Sequence, residues 1–361
     1  MVDKFQYLKS IFPGVVLALI FCLFSQGINN VLAIEIFGTE KSPISTVLIA
    51  ILLGILMGNA FTPRPGMMIG LDFTQQYILK LGIIFLGIRL SFADFIKFGS
   101  VAIPLVIFCI LGVLILIKLL IKKVPISSKM SYLIAIGTSV CGATAIVATA
   151  PVINAKKTEV AYAIANITLF GVIAMLIYPY FAEWYFDNNA LDAGLFLGTS
   201  IHETSQVAAA GLIYDQQFNN PETLDVATVT KLIRNTFLVI LIPLFAFLYN
   251  RGEFKEQKYS ILSIFPYFVL GFIGMIIVRN LGDQFFSIEG DNFYVWSQFI
   301  EYLKILATVF LTMAMAAVGI SINLGELKSM GYKPFVVGLI AAVTVGIISL
   351  IYIETLKNFF V

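Results

Sequence analysis

The single histidine of the chain, His202, is followed directly by Glu203, and both lie inside the apolar stretch 191–213. Ionisable side chains are rare within membrane-spanning segments and usually mark an ion or substrate pathway. Histidine is also the side chain best suited to gain and lose a proton near neutral pH. We therefore predict that His202 and Glu203, with Gln206 one turn further on, act as coupling residues for protons. The alternative is a fixed His–Glu pair that only locks the local backbone.

His202 and Glu203 belong to one of two similar segments. Residues 198–205 read Gly-Thr-Ser-Ile-His-Glu-Thr-Ser, and residues 137–144 read Gly-Thr-Ser-Val-Cys-Gly-Ala-Thr. Polar breaks inside apolar windows are typical of interrupted helices, whose N-terminal ends attract anions while their carbonyl ends hold cations. The predicted substrate-binding residues in the two breaks are Gly137, Thr138, Ser139, Cys141, Gly142, Gly198, Thr199 and Ser200. The alternative is that these small residues only allow close helix packing.

Three further polar residues lie on the next apolar helix. Lys231 and Arg234 are three positions apart and therefore share one helix face, with Asn235 beside them. An arginine fork suits recognition of an oxyanion, so the three residues are predicted to bind an anionic solute. The alternative is that the two long side chains snorkel to the membrane surface. Arg89, at the end of its apolar window, is predicted to be an interfacial anchor.

The composition places all of these residues in a membrane. Of 361 residues, 59% are hydrophobic and 12% are charged, and the mean hydropathy is +0.95, whereas a soluble domain carries about 25% charged residues. A soluble enzyme is therefore excluded, and a formal net charge of +2 without runs of like charge excludes a nucleic-acid partner. The cysteines Cys22, Cys109 and Cys141 lack the spacing of metal ligands or disulfides, so no metal and no cofactor is predicted.

Eleven apolar windows, most of them about 20 residues long, predict an all-α polytopic membrane protein. The polar connections between them are too short for a second core, so residues 1–361 are predicted to form a single transmembrane domain. The windows are 12–34, 44–61, 73–91, 99–121, 130–153, 159–181, 191–213, 227–249, 260–278, 299–320 and 334–353.

Two pairs of similar segments predict an internal duplication, with one repeat in 73–181 and the other in 191–353. One pair is the two Gly-Thr-Ser breaks, and the second pair is 87–99 with 319–331. If every window crossed the membrane, the first pair would be parallel and the second antiparallel, which is inconsistent for one duplicated unit.

The inconsistency disappears when windows 130–153 and 191–213 each enter the membrane and return on the same side. This arrangement predicts nine crossings, two re-entrant helices and inverted repeats of the kind found in secondary transporters. Helices that cross the membrane and are merely broken at Gly-Thr-Ser are the alternative.

Loop charge favours the two hairpins and sets the orientation. With nine crossings, Lys156 and Lys157 join most other lysines and arginines on one side, while Glu183 and Asp187 lie on the other. Cytoplasmic loops carry the excess of lysine and arginine. The amino terminus is therefore predicted to be cytoplasmic and the carboxyl terminus to be outside.

Four ordered motifs resemble the YeiH family of sulfate exporters, and the similarity covers nearly the whole chain. The motifs are Gly-Leu-Asp-Phe-Thr from residue 70 with Leu-Gly-Ile-Ile-Phe-Leu-Gly-Ile-Arg-Leu-Ser-Phe from residue 81, the two Gly-Thr-Ser segments, and Ala-Met-Ala-Ala-Val-Gly-Ile from residue 314. The resemblance implies a bacterial inner-membrane protein related in fold to the cation/proton antiporter and bile-acid symporter superfamily. The chain departs from the expected pattern at Ala150, where the resemblance implies an acidic residue before Pro151.

These observations predict a secondary active transporter that exports a small anion such as sulfate, an organosulfonate or a carboxylate. The anion is expected between the two breaks, with protons coupled through His202 and Glu203. The alternatives are a sodium-coupled organic anion symporter, a channel, and an intramembrane enzyme that uses Ser139 or Cys141 with His202 as base. The predicted partners are the anionic solute, the coupling ion and the lipid bilayer, and a homodimer is left open.

Overall fold

The computed structural model describes residues 4–38, 42–61, 63–120, 127–249, 265–286, 291–323, 325 and 332–360. Within these ranges every regular element is a helix. An α-helix satisfies its backbone hydrogen bonds within one segment, as the hydrocarbon region of a membrane requires. The prediction of an all-α polytopic membrane protein is confirmed.

The α-helices are numbered in chain order. They are α1 Lys4–Val31, α2 Thr46–Ala60, α3 Pro65–Phe73, α4 Leu79–Leu86, α5 Phe92–Leu120, α6 Ser128–Ser139, α7 Ala143–Thr149, α8 Lys157–Phe186, α9 Ala190–Ser200, α10 Thr204–Phe218, α11 Pro221–Thr236, α12 Leu238–Tyr249, α13 Phe268–Phe285, α14 Asp291–Ser321 and α15 Tyr332–Phe360. Two π-helical segments, Leu32–Ile36 and Thr74–Ile78, continue α1 and α3, and the 3-10 turn Gly87–Arg89 ends α4.

Eight helical stretches among the described residues are long and apolar enough to cross a membrane. They are Lys9–Ile36, Pro65–Arg89, Phe92–Leu119, Lys157–Phe186, Pro221–Phe245, Phe268–Phe285, Phe293–Ser321 and Pro334–Thr355. The shorter apolar helix α2 corresponds to the ninth predicted crossing. Windows 130–153 and 191–213 supply none of the eight stretches, because each is divided into two short helices.

The chain divides into two compact units. Unit 1 comprises Met1–Phe95, Gly211–Asp225 and Phe268–Leu324, and unit 2 comprises Ile96–Ala210, Val226–Tyr267 and Gly325–Val361. The predicted duplication over 73–181 and 191–353 stays a prediction, and Gly331 of its second motif lies outside the described residues. So do several of the loop cations that set the predicted orientation, namely Lys41, Lys122, Lys123, Arg251, Lys255, Lys258 and Lys328.

Within unit 1, α2 and α14 approach each other at the level of their backbones. A Cβ atom on Gly54 would lie 2.6 Å from the carbonyl oxygen of Ala316, and one on Gly319 would lie 2.5 Å from that of Ile51. Small residues let membrane helices pack closely, because lipid offers no hydrophobic drive between helices and contact must come from van der Waals packing. These two glycines therefore serve the packing of unit 1.

Substitution of Gly54 with alanine is expected to lower the free energy of unfolding by about 1–3 kcal/mol, because the added methyl group meets backbone atoms that cannot rotate away. Thermal unfolding in detergent measures the effect. Gly274→Ala in α13 is the matched control, since no described atom lies within 4 Å of the added Cβ. Equal melting temperatures for the two variants would contradict this account of the α2–α14 contact.

Within unit 2, the first hairpin consists of α6 and α7, and its two ends lie together. The ammonium group of Lys129, at the start of α6, donates to the carbonyl oxygen of Asn154, after α7, at 2.7 Å. The hydroxyl of Ser127 donates to the Glu159 carboxylate at the start of α8. The two arms therefore form a hairpin, with a depth of about 18 Å for the twelve residues of α6.

The turn of this hairpin depends on one glycine. Gly142, between α6 and α7, has φ +66° and ψ −127°. A residue with a side chain adopts this conformation only under strain, whereas glycine adopts it freely. The second glycine of Gly-Thr-Ser-Val-Cys-Gly is therefore required by the backbone itself.

The second hairpin reverses direction between α9 and α10. Gly198 of α9 packs on Thr230 of α11, and the end of α9 continues toward the carboxyl end of α11. Helix α10 runs the other way, because Asn235 donates to Thr204 at 2.9 Å while Gly211 packs on Leu224. Both Gly-Thr-Ser windows therefore fold as helical hairpins, an arrangement that favours re-entry over broken crossing helices.

Cysteine labelling tests this threading. In a variant whose three native cysteines are replaced by serine, single cysteines at Lys129 and Asn154 are expected to react with a membrane-impermeant thiol reagent from the same side. A cysteine at Asp187 is expected to react from the opposite side, because the 30 residues of α8 span about 45 Å. Labelling of position 154 from the side that labels position 187 would contradict the hairpin.

Candidate functional site

Arg234 of α11 lies where the first arms of both hairpins end, and its side chain is fully buried. Its Nε donates to the carbonyl oxygen of Ser139 at 2.7 Å, and Nη2 donates to that of Thr138, both in the last turn of α6. Its Nη1 donates to the carbonyl oxygen of Thr199 at 2.6 Å and to that of Ile201 at 3.2 Å, at the end of α9. One guanidinium group therefore ties the two hairpins together.

Lys231, one turn earlier on the same face of α11, has the same role and is also fully buried. Its ammonium group donates to the carbonyl oxygen of Val140 at 2.8 Å and to that of Ile201 at 3.1 Å. It also donates to the carbonyl oxygen of His202. These three acceptors account for all three hydrogens of a lysine ammonium group.

The ends of α6 and α9 explain why two cations lie here. The last carbonyl groups of an α-helix have no partner within the helix, and together they carry about half a negative charge. In lipid each unsatisfied group costs several kcal/mol. Lys231 and Arg234 supply the missing donors, so the carbonyl ends of the interrupted helices do hold cations, and these cations are side chains of the protein. Since both side chains are 0% exposed, the snorkelling alternative is wrong.

Neither of the two cations has a carboxylate partner among the described residues. The ion pairs within 4 Å there are Arg89 with Asp215 and with Asp225, Arg279 with Asp283, and Lys304 with Glu301. An isolated buried charge is strongly unfavourable unless it is paired or well hydrogen-bonded. The hydrogen bonds of Lys231 and Arg234 go to backbone carbonyl oxygens, and the two helix ends offset about one of the two positive charges.

Arg89 is not an isolated interfacial anchor. Its Nε lies 2.8 Å from Asp225 and its Nη2 lies 3.4 Å from Asp215, both within unit 1. Its Nη2 also donates to the carbonyl oxygen of Pro221 at 3.0 Å. The side chain therefore ties the turn after α4 to the last turns of α10 and the first turns of α11.

Glu203, which directly follows His202, bridges the two hairpins. Its Oε1 accepts a long hydrogen bond of 3.4 Å from the backbone nitrogen of Ala143, at the start of α7. Its side chain packs against Gly142, where an added Cβ would lie 2.4 Å from Cγ of Glu203. The oxygen of the Gln206 amide accepts from the backbone nitrogen of Glu203 at 3.3 Å, and its NH2 donates to the carbonyl oxygen of Thr168.

Several buried polar side chains of the two breaks have no hydrogen-bond partner within the described part of the chain. They are both ring nitrogens of His202 and the hydroxyl groups of Thr138, Ser139 and Ser200. All four residues are at most 1% exposed. Buried polar atoms are nearly always hydrogen-bonded, so these exceptions in the two breaks leave donors and acceptors available to a polar ligand. These side chains can donate to an anion or accept from a neutral polar group.

The other predicted site residues have packing or hydrogen-bonding roles. Gly137 packs against Ile146 in the first hairpin, and Gly198 packs against α11, in line with the close-packing alternative. Cys141 is half-buried and makes no disulfide. The hydroxyl of Thr199 is hydrogen-bonded to the carbonyl oxygen of Leu195, and at 2.7 Å to the hydroxyl of Ser349 on α15. Ser349 was not predictable from the sequence, because a single serine in an apolar helix carries no signal.

The enzyme alternative needs a base within hydrogen-bond reach of a nucleophile. Within the described residues, the two ring nitrogens of His202 and the hydroxyl of Ser139 have no hydrogen-bond partner. The two side chains are therefore not paired with each other. The arrangement does not form a nucleophile–base pair.

The chain is similar to known sequences over nearly its whole length. A sequence model of the family described as conserved hypothetical protein 698 matches residues 13–338. A UPF0324 membrane protein of Streptococcus agalactiae is 34% identical over 346 residues, which cover 94% of this chain and 95% of that protein. A UPF0324 membrane protein of Fusobacterium nucleatum is 33% identical over 323 residues, which cover 88% of this chain and 91% of that protein. No solved structure matches the chain.

Proposed function

We propose that this membrane protein is a secondary active transporter of a small anion. The chain belongs to the family of conserved hypothetical protein 698, whose relatives are named UPF0324 membrane proteins. The YeiH family, which the sequence motifs resemble, is this same family, so the family prediction is confirmed. Membership establishes a multi-pass membrane protein. The anion and the coupling ion are the proposal.

One observation carries the proposal: Lys231 and Arg234 are fully buried, and neither has a carboxylate within 4 Å among the described residues. Buried charges in membrane segments usually mark substrate or ion pathways. A positive region at the tips of two re-entrant hairpins attracts an anion. The unpartnered side chains of Ser139, Ser200 and His202 offer hydrogen bonds to its oxygen atoms.

The hydrogen bonds of Arg234 bear on the prediction that its guanidinium group binds the anion directly. The guanidinium group already donates to four carbonyl oxygens, so at most one of its five hydrogens is left for a solute. We therefore assign the direct contacts with the anion to the hydroxyl groups and the imidazole. Lys231 and Arg234 contribute the positive potential, which acts over a longer distance than a hydrogen bond.

The charge balance favours Glu203 over His202 as the proton carrier. The two helix C-termini together contribute about one negative charge, so Lys231 and Arg234 leave about one positive charge. An ionised Glu203 balances this charge, and a protonated Glu203 leaves it for the anion. A third positive charge on the buried His202, whose backbone contacts Lys231, is unfavourable. The anion and one proton therefore bind together, and His202 serves as a neutral hydrogen-bonding group.

Anion flux into proteoliposomes tests the proposal. Labelled sulfate, taurine and small carboxylates are offered with and without an inward pH gradient. We expect at least one of the anions to enter, faster with acid outside, and to be exchanged for unlabelled anion inside, as a carrier does and a channel does not. Absence of protein-dependent flux of every anion at both pH values would contradict the proposal.

A further inference from the structure

The ammonium group of Lys231 occupies a position made entirely of backbone oxygen. Its three acceptors are the carbonyls of Val140 in the first hairpin and of Ile201 and His202 in the second. Both breaks lie at the turns of helical hairpins, and the Lys231 side chain is 0% exposed. Unwound carbonyls and the C-terminal ends of half-helices are the groups with which transporters with interrupted helices coordinate sodium ions. In this chain the ammonium group of Lys231 lies where such a sodium ion would be coordinated.

Arg234 occupies the rest of the same set of carbonyls. Its guanidinium group donates to the carbonyl oxygens of Thr138 and Ser139 in α6 and of Thr199 in α9. It also donates to that of Ile201, which accepts from Lys231 as well. A metal cation added here would have to displace one of these hydrogen-bonded side chains. It would also place a third positive charge next to two that have no carboxylate within 4 Å among the described residues.

We propose that the ammonium group of Lys231 is the resident cation of this site and replaces a coupling metal ion. The protein is then indifferent to sodium and potassium. Removal of the ammonium group exposes a site for a monovalent metal cation, formed by the carbonyls of Val140, Ile201 and His202. The consequence for coupling rests on the proposed function and removes sodium as the driving ion, whereas the cation site itself does not depend on transport.

Thermal unfolding of the purified full-length protein tests the site without any transport assay. The wild type and Lys231→Ala are compared in sodium chloride, potassium chloride and choline chloride at equal ionic strength. For the wild type we expect the same melting temperature in all three salts. For Lys231→Ala we expect a lower melting temperature in choline that rises by about 3–5 °C in sodium or potassium, because the ion binds only the folded state.

Two controls separate a cation site from a general effect of salt or lost charge. Lys231→Gln retains amide hydrogens that can reach the same carbonyls, and it is expected to show no selective response to sodium or potassium. Lys304→Ala removes a lysine whose side chain is 38% exposed and is likewise expected to show none.

Sodium-dependent or potassium-dependent stabilisation of the wild type would overturn the inference. So would a Lys231→Ala protein whose melting temperature is equal in all three salts, or one that fails to fold in sodium and potassium as well as in choline. If the cation response appears while the liposomes show no anion flux, the cation site stands and the proposed function fails. If anion flux is observed without the cation response, the proposed function stands and the cation site fails.

Discussion

Arg234→Ala is expected to lower the free energy of unfolding by about 3–5 kcal/mol, the largest loss of stability that we predict. The substitution leaves the carbonyls of Thr138, Ser139 and Thr199 without their donor, and removes one of the two donors to that of Ile201, in a region without solvent access. A buried polar group that loses its partner costs about 1–3 kcal/mol. Thermal unfolding in detergent, together with the yield of monodisperse protein, measures the effect.

Two variants show whether the hydrogen bonds or the charge of Arg234 matter. Arg234→Lys keeps the charge but has three donor hydrogens in place of five, so it cannot donate to all four carbonyl oxygens and we expect an intermediate loss. Arg279→Ala removes an arginine that is 27% exposed, paired with Asp283 and hydrogen-bonded to one carbonyl oxygen, that of Ile88, so the expected loss is at most about 2 kcal/mol. A melting temperature for Arg234→Ala equal to that of Arg279→Ala would show that the guanidinium group does not hold the hairpin tips together.

Glu203→Gln is expected to remove the acceleration of anion flux by a pH gradient, a decrease of at least about tenfold in the gradient-driven rate. Glutamine keeps the shape of the side chain and an oxygen for the backbone nitrogen of Ala143. It cannot release a proton, so the charge balance around Lys231 and Arg234 no longer changes with pH. Exchange of labelled for unlabelled anion without a gradient is expected to continue, because the neutral glutamine resembles the protonated form of Glu203.

The matched control is Glu222→Gln, which removes an exposed carboxylate in the first turn of α11 and is expected to leave the pH response unchanged. His202→Gln distinguishes the two candidate proton carriers. It is expected to weaken anion binding while the response to the gradient persists. Loss of the pH response in His202→Gln with its retention in Glu203→Gln would assign the proton to the histidine.

The membrane class, the helical fold and the two hairpins were predictable from the sequence. Each depends on local properties: apolar windows of sufficient length, polar Gly-Thr-Ser breaks, and the sign of charge in short loops. Parity of the repeats added one long-range constraint, which favoured hairpins over crossing helices at 130–153 and 191–213. The contacts of Lys129 with Asn154 and of Asn235 with Thr204 agree with that constraint.

The use of Lys231 and Arg234 was decided only by the tertiary structure. Spacing along α11 shows that they share a face, but whether that face meets solvent, lipid or carbonyl oxygens depends on which helix ends pack against it. The same holds for Glu203, which lies against Gly142 of the other hairpin, 61 positions away in the chain. Backbone carbonyls are identical at every position of a sequence. Only the packing of α6 and α9 against α11 makes some of them ligands of two buried cations.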